Sequence, residues 1–296
     1  MLKHVLIQAL FTFLGSYGLK IAVISDTHVG ENCPSLDFEV CKPMRNLRDA
    51  VNHLNTVHAE SHLDGVFISG DLTASAQEEQ MKVVRTLLDP LAMPWFPLLG
   101  NHDSWPYNKS ANGSFTQHDS PDGDQLFAKV FGDKLADSAS VSGVYEVSAF
   151  ANSTCPNGNF PGVDTWHTNF QVRFAALPEL RFLNLDWVAR GSAWPYAGVG
   201  PEAELHDYPC GTTEWLEARL DEGGAPAASG GSARYFLVQH HPFHNRDVWG
   251  GVRGTNKIKN FTFDVNQVHF RFSGVLRSYC FFMFSRDRVP YSNEFT

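Results

Sequence analysis

Four short polar runs in this chain carry residue types that could do chemistry, and each follows an apolar stretch. They are Asp26-Thr27-His28, Gly70-Asp71, Gly100-Asn101-His102-Asp103 and His240-His241-Pro242. Carboxylate, imidazole and amide oxygen are the ligand types that borderline transition metals accept, and the same groups can hold or protonate a phosphoryl oxygen. Gly, Asn and Asp are also ordinary turn residues, so any one run alone reads as a turn. Four such runs in succession, each where a buried strand would end, read as corners of one site, because ligands of open α/β sheets bind outside the carboxyl ends of the strands.

The elements that must position these corners are legible as hydrophobic patterns. Leu19 to Ser25, Gly65 to Ser69, Phe96 to Leu99 and Tyr235 to Gln239 read as buried strands. Between them, Met44 to Glu60 carries Leu47, Ala50, Val51, Leu54 and Val57 on one helical face, and Ala76 to Leu88 carries Met81, Val84, Leu87 and Leu88. Met81 belongs to the core rather than to a cofactor. Shorter alternating segments, Gly143 to Phe150, Thr168 to Phe174 and Leu180 to Trp187, suit a second sheet. Thr212 to Leu220 reads as a helix with Thr213 as its N-cap. The expected fold is therefore α/β, a two-sheet sandwich flanked by helices. Asp186 and Arg190 read as structural polar residues. The polar stretch from Ser104 to Asp124 reads as a long loop beside the site, with His118 solvated.

The ordered set resembles the calcineurin-like metallophosphoesterase family, over residues 19–274. The resemblance implies an αββα sandwich and two divalent or trivalent metal ions, of Zn, Mn or Fe type. It implies that Asp26 and His28 hold one metal, that Asp71 bridges both, and that Asn101 and His240 hold the other. His102 would act on the phosphoryl group or the leaving group, Asp103 would orient it, and His241 or His244 would face the substrate. One motif departs from the pattern. Where the family has Gly-His-x-His, this chain has Gly274-Val275-Leu276-Arg277, and residues 275–296 read as an atypical tail. The expectation is a hydrolase of phosphate mono- or diesters. The alternative is a weakened or inactive relative that binds a phosphate ligand or a protein partner.

Composition narrows the remaining classes. With 43% hydrophobic and 19% charged residues, the 296-residue chain is of globular type, and a formal net charge of −9 without a Lys/Arg run argues against nucleic acid as a general partner. Lys3 and His4 precede apolar Val5 to Leu14 and small residues to Gly18, so residues 1–18 read as a signal peptide, too short for a stable membrane span. The other reading is an extra strand or helix packed on the domain of a cytoplasmic protein. Sequons at Asn108, Asn112, Asn152 and Asn260 suit a secreted glycoprotein. Cys33 with Cys41 and Cys155 with Cys210 are plausible bridges, leaving Cys280, although spacing alone does not determine pairing. A serine hydrolase elbow, Gly-x-Ser-x-Gly, is absent.

Loss of one imidazole per metal should weaken both sites by at least the ~10 to 100-fold that loss of a supporting group costs. Val275→His combined with Arg277→His is expected to raise metal content and aryl-phosphate hydrolysis together, as read by elemental analysis and a chromogenic assay.

Overall fold

The computed structural model describes residues 11–12, 18–104, 107–109, 115–117, 123–159, 161–190, 203–222, 234–241 and 282–285. In chain order the strands and helices begin with β1 (Phe11–Thr12), β2 (Lys20–Ile24), α1 (Lys42–Ser61), β3 (Gly65–Ser69), α2 (Glu78–Leu88), β4 (Trp95–Leu98) and the single turn α3 (Asn101–Ser104). A hairpin of β5 (Tyr107–Lys109) and β6 (Phe115–Gln117) follows, then α4 (Gly123–Ala139), β7 (Val144–Val147), and the short pair β8 (Cys155–Pro156) and β9 (Asp164–Thr165). The last elements are β10 (Phe170–Phe174), β11 (Leu177–Leu185), α5 (Thr212–Glu222), β12 (Arg234–Gln239) and β13 (Phe282–Ser285).

Two sheets form the sandwich. The first has the order β1-β2-β3-β4, with β2, β3 and β4 parallel and joined through α1 and α2. Its central strand is buried at every residue, as a strand covered on both faces must be. The second has the order β13-β12-β11-β10-β7, and its one parallel pair aligns Leu185 of β11 with Gln239 of β12. Aromatic side chains join the layers: the Phe67 ring lies 5.3 Å from Phe182, and Phe96 meets Phe174 edge-on at 6.0 Å. The two-sheet expectation thus holds.

Helix α4 is a finding that the sequence reading lacked. It buries Leu126, Phe127, Val130, Phe131 and Leu135 against the first sheet, with Phe131 edge-on to Trp95. Helix α5 starts at Thr212, so Thr213 lies inside its first turn and is not the cap. Thr212 instead donates its hydroxyl to the Asp186 carbonyl at 2.5 Å. Both expected cysteine pairs are disulfides, Cys33–Cys41 and Cys155–Cys210. Phe11–Thr12, inside the stretch expected to be a leader, runs antiparallel to β2.

A buried polar knot fastens α4 to the second sheet. The Arg190 guanidinium donates to Asp124 at 2.9 Å and to both oxygens of Asp186, at 3.2 and 2.7 Å, with the Val188 carbonyl as a further acceptor. All three ionic side chains are almost fully buried, so the pair of carboxylates compensates a charge that would otherwise be prohibitive. His167 and His206 lie against this knot with ring centroids 5.0 Å apart. Burial pushes the His167 imidazole down to about 4, despite the Asp186 carboxylate, and pushes His206 well below its usual range. Both are therefore neutral in the folded chain.

The linkage has a definite sign. Between the ordinary value of 6.5 and about 4, the unfolded chain binds a proton at His167 and the folded chain does not, so stability falls as pH falls through that window. At ~1.4 kcal/mol per pH unit, His167 alone accounts for on the order of 3 kcal/mol by pH 4. Urea midpoints measured from pH 7 to pH 4 are expected to fall, and to fall less steeply in His167→Asn than in the unaltered chain.

Candidate metal centre

The three parallel strands of the first sheet end in register, and their continuations are laced together by backbone. Asp26 N donates to Gly70 O at 3.1 Å, His28 N to Asp71 O at 2.9 Å and Val29 N to Leu72 O at 3.0 Å. Strand β2 stops at Ile24, so the Asp26-Thr27-His28 run lies past the strand, not on it. Asp26 and His28 face one cleft because both adopt left-handed backbone, with φ of 52° and 43°, and Asp71 does the same at 52°. Such conformations are costly for non-glycine residues and gather at functional corners.

Sheet one thereby supplies Asp26, His28, Asp71 and Asn101, and the end of β12 in sheet two brings His240 to them. The Asp71 carboxylate is divided between two imidazoles: Oδ2 lies 3.5 Å from His28 Nε2, and Oδ1 lies 3.3 Å from His240 Nε2. His28 Nε2 is also 3.7 Å from Asp26, and His240 Nε2 is 3.2 Å from Asn101 Oδ1. His240 Nδ1 lies 2.8 Å from the Ser69 carbonyl, which can only accept, so Nδ1 carries a proton and Nε2 is turned to the carboxylate. Two groups of side chains bring potential ligand atoms within 4.8 Å of one another, His28, Asp71 and His102 in one and Asp26, Asp71 and His240 in the other.

Close approach is built in by two glycines. A Cβ on Gly100 would fall on the backbone nitrogen and Oδ1 of Asp71, and one on Gly70 (φ 87°) would overlap the His240 ring. Neither space can be made by moving a flexible side chain tip, since the obstacles are backbone and a clamped ring.

Charge follows the same plan. Burial alone would raise the Asp71 carboxyl, but His240 and His102 more than offset it and hold it well below the carboxylate range. Burial also works against Asp26, which the His28 hydrogen bond and the His240 charge nevertheless keep low. Conversely, burial would lower His240, but the Asp71 carboxylate beside it drives it up to about 10, and His28 is raised against burial by Asp26 and Asp71. The cluster is one that calls for positive charge at its centre. Carboxylate, imidazole and amide oxygens arranged this way fit a transition metal. His28 turns Nε2 to the two carboxylates, while its buried Nδ1 has no hydrogen-bond partner among the described residues.

Asp103 requires a correction. It was expected to orient His102, yet its carboxylate accepts from Gly100 N at 2.9 Å, Leu72 N at 3.1 Å, Thr73 N at 2.8 Å and Thr73 Oγ1 at 2.8 Å. What orients His102 is the Ala74 carbonyl, 2.8 Å from Nδ1. Asp103 is fully buried and clamps the loop after β3 to the loop after β4, which fixes Asp71 relative to Asn101. Burial and the nearby Asp71 push its carboxyl up to about 6. Ser25, which donates to Asp26 at 2.7 Å, was also missed. His241 is buried beside His240, ring centroids 4.6 Å apart, while His244, His118, Val275 and Arg277 lie outside the described residues.

Residues 19–267 match the calcineurin-like phosphoesterase family. The chain belongs to that family. Membership supports metal-dependent hydrolysis of phosphate esters in general terms, and divalent metal ions with it. No protein of curated function matches the chain. Among solved structures, the purple acid phosphatase PPD1 from yellow lupin (Lupinus luteus) seeds is similar at 17% identity and a TM-score of 0.31, over 69% of this chain. The chain spans about a quarter of that protein, 27% of its length. No helix among the described residues is long and apolar enough to cross a membrane.

The Asp103 clamp generates a test. All four of its partners donate, so an amide in either orientation turns an N–H toward a backbone N–H, at ~1–3 kcal/mol. Asp103→Asn is expected to lower the urea unfolding free energy by that amount and to lower metal affinity with it, as read by chemical denaturation and calorimetric metal titration.

Proposed function

We propose that this phosphoesterase-family chain hydrolyses phosphate esters at a dinuclear centre. The observation that carries the reading is the division of the Asp71 carboxylate, one oxygen toward His28 and the other toward His240, which is how a bridging ligand is placed. Asp26, His28 and Asp71 would hold one ion, and Asp71, Asn101 and His240 the other, with Zn, Mn and Fe all suited to the donor types. Ions bound there would screen the phosphate and supply a nucleophile from water at neutral pH.

The chain's own contribution is placement. Backbone carbonyls of Ser69 and Ala74 fix a proton of His240 and of His102 on Nδ1, so Nε2 is the nitrogen each ring would offer to a metal or an ester. The Asp103 clamp keeps the corners at working distance. Gly70 and Gly100 keep that distance short. His241, its ring 4.6 Å from that of His240, would face the ester.

A signal peptide over residues 1–18, export and glycosylation complete the reading; two disulfides and the exposed Asn152 sequon support it. The second reading, a relative that binds a phosphate ligand with little turnover, is favoured by one observation, Val275 and Arg277 in place of the two motif imidazoles.

Purified protein is expected to hold a transition metal on elemental analysis and to hydrolyse p-nitrophenyl phosphate or its bis-ester. Asp71→Asn should remove metal and reduce turnover by more than ~100-fold, since it takes a ligand from both ions at once. Metal-loaded protein without turnover of either ester favours the binding reading. Protein that takes up no metal and turns over neither ester overturns the proposal.

A further inference from the structure

We infer that His102 is a metal ligand in this chain, completing the set on the His28 side of the centre. The inference rests on the dinuclear reading above and concerns which side chains complete it.

Three observations carry it. His102 and His240 are prepared in the same way: each has Nδ1 2.8 Å from a backbone carbonyl, Ala74 for one and Ser69 for the other. A carbonyl accepts and cannot donate, so in each ring Nδ1 carries a proton and Nε2 is the nitrogen left for a metal, the arrangement that sets tautomer and orientation in metal-bound histidines. Second, His102 lies where a ligand is needed. His28, Asp71 and His102 each bring a ligand atom within 4.8 Å of the others, and the His102 ring stands edge-on to His28 at 4.6 Å and 83°. The residue is tied to the bridging carboxylate as well, its backbone N–H donating to Asp71 Oδ1 at 3.0 Å. Third, the chain has no Gly-His-x-His segment, so the His28 side is one imidazole short unless another histidine supplies it.

An imidazole that gives its Nε2 lone pair to a metal has no proton there for a leaving group. His102 then acts on the cation and not on the ester oxygen, which reverses the role that the family resemblance implies for it. Asp103 remains a positioning residue in either case, because it acts through backbone and touches neither ester nor metal.

The test uses the full chain, made metal-free and titrated with Co2+ by calorimetry and visible absorption. The unaltered chain is expected to bind Co2+ in two steps, and His102→Gln to weaken one step by at least ~10-fold with the other unchanged. In the Co2+-loaded unaltered chain, exchangeable Nδ1–H resonances shifted by the paramagnetic ion are expected for His28 and His102 on one ion and His240 on the other. One of these should vanish in His102→Gln, and this count does not depend on the variant's stability. Two unchanged steps and an unchanged resonance count in His102→Gln overturn the inference. If that variant also loses ester hydrolysis, His102 serves the substrate, and the dinuclear reading stands without this addition. No Co2+ binding by the unaltered chain overturns both.

Discussion

Repulsion between carboxylates at one sheet edge is the constraint from which the rest of this structure follows. Adjacent parallel strands lie ~4.8 Å apart, so strands that end in acidic residues place like charges close together in a cleft that water reaches poorly. Asp26 and Asp71 keep their charge there because imidazoles face them, and Asp103, which faces amides and a hydroxyl instead, is the one pushed toward its neutral form. Everything that approaches this edge is chosen to tolerate or relieve negative charge: His28 from the same strand end, His240 from the other sheet, and backbone N–H groups from Gly100, Leu72 and Thr73.

That same constraint explains which parts were legible in the sequence. A buried strand is an uninterrupted apolar run, and the polar residues that end it are conspicuous, so the corners at Asp26, Asp71, Asn101 and His240 could be read directly and ordered along the chain. The sense of Asp103 could not. Adjacent residues in a helical turn point ~100° apart, and α3 is such a turn, so His102 and Asp103 address different neighbours although they are consecutive. Apart from the Thr73 hydroxyl and Gly100 N, the neighbours are backbone atoms of residues 72–74, which no side-chain pattern announces.

Helix α4 and the Arg190 knot were hidden for a related reason. Helix α4 carries a glycine, Gly132, and several polar residues among its apolar ones, and nothing in the sequence separates its start from the polar loop before it. Asp124 and Arg190 are 66 positions apart, and each alone resembles a surface charge. Their pairing follows only once the sheets close. The gain is mechanical: Gly123 sits against the Asp103 and Ser104 carbonyls, while Trp187, beside Asp186, donates its indole N–H to Gln239 at 3.1 Å, next to His240. The knot therefore spans from the half of the centre built on the first sheet to the half built on the second.

The Cys33–Cys41 bridge has a consequence for the setting in which this centre can be assembled. It closes a loop of eight positions that begins five residues after His28 and ends at the cap of α1. Closing so short a loop removes roughly 2–3 kcal/mol of freedom from the unfolded chain on an entropic account. Its local effect is to hold the strand exit that carries Asp26 and His28 to a helix already seated in the core. In a reducing cytosol that tether opens, and the corner is left to its backbone hydrogen bonds with residues 70–72 and to any bound cation. Thiol potential thus joins metal supply in deciding how much of the protein carries a ready site, so material made with the bridge open and material made with it closed would differ in metal content at identical sequence.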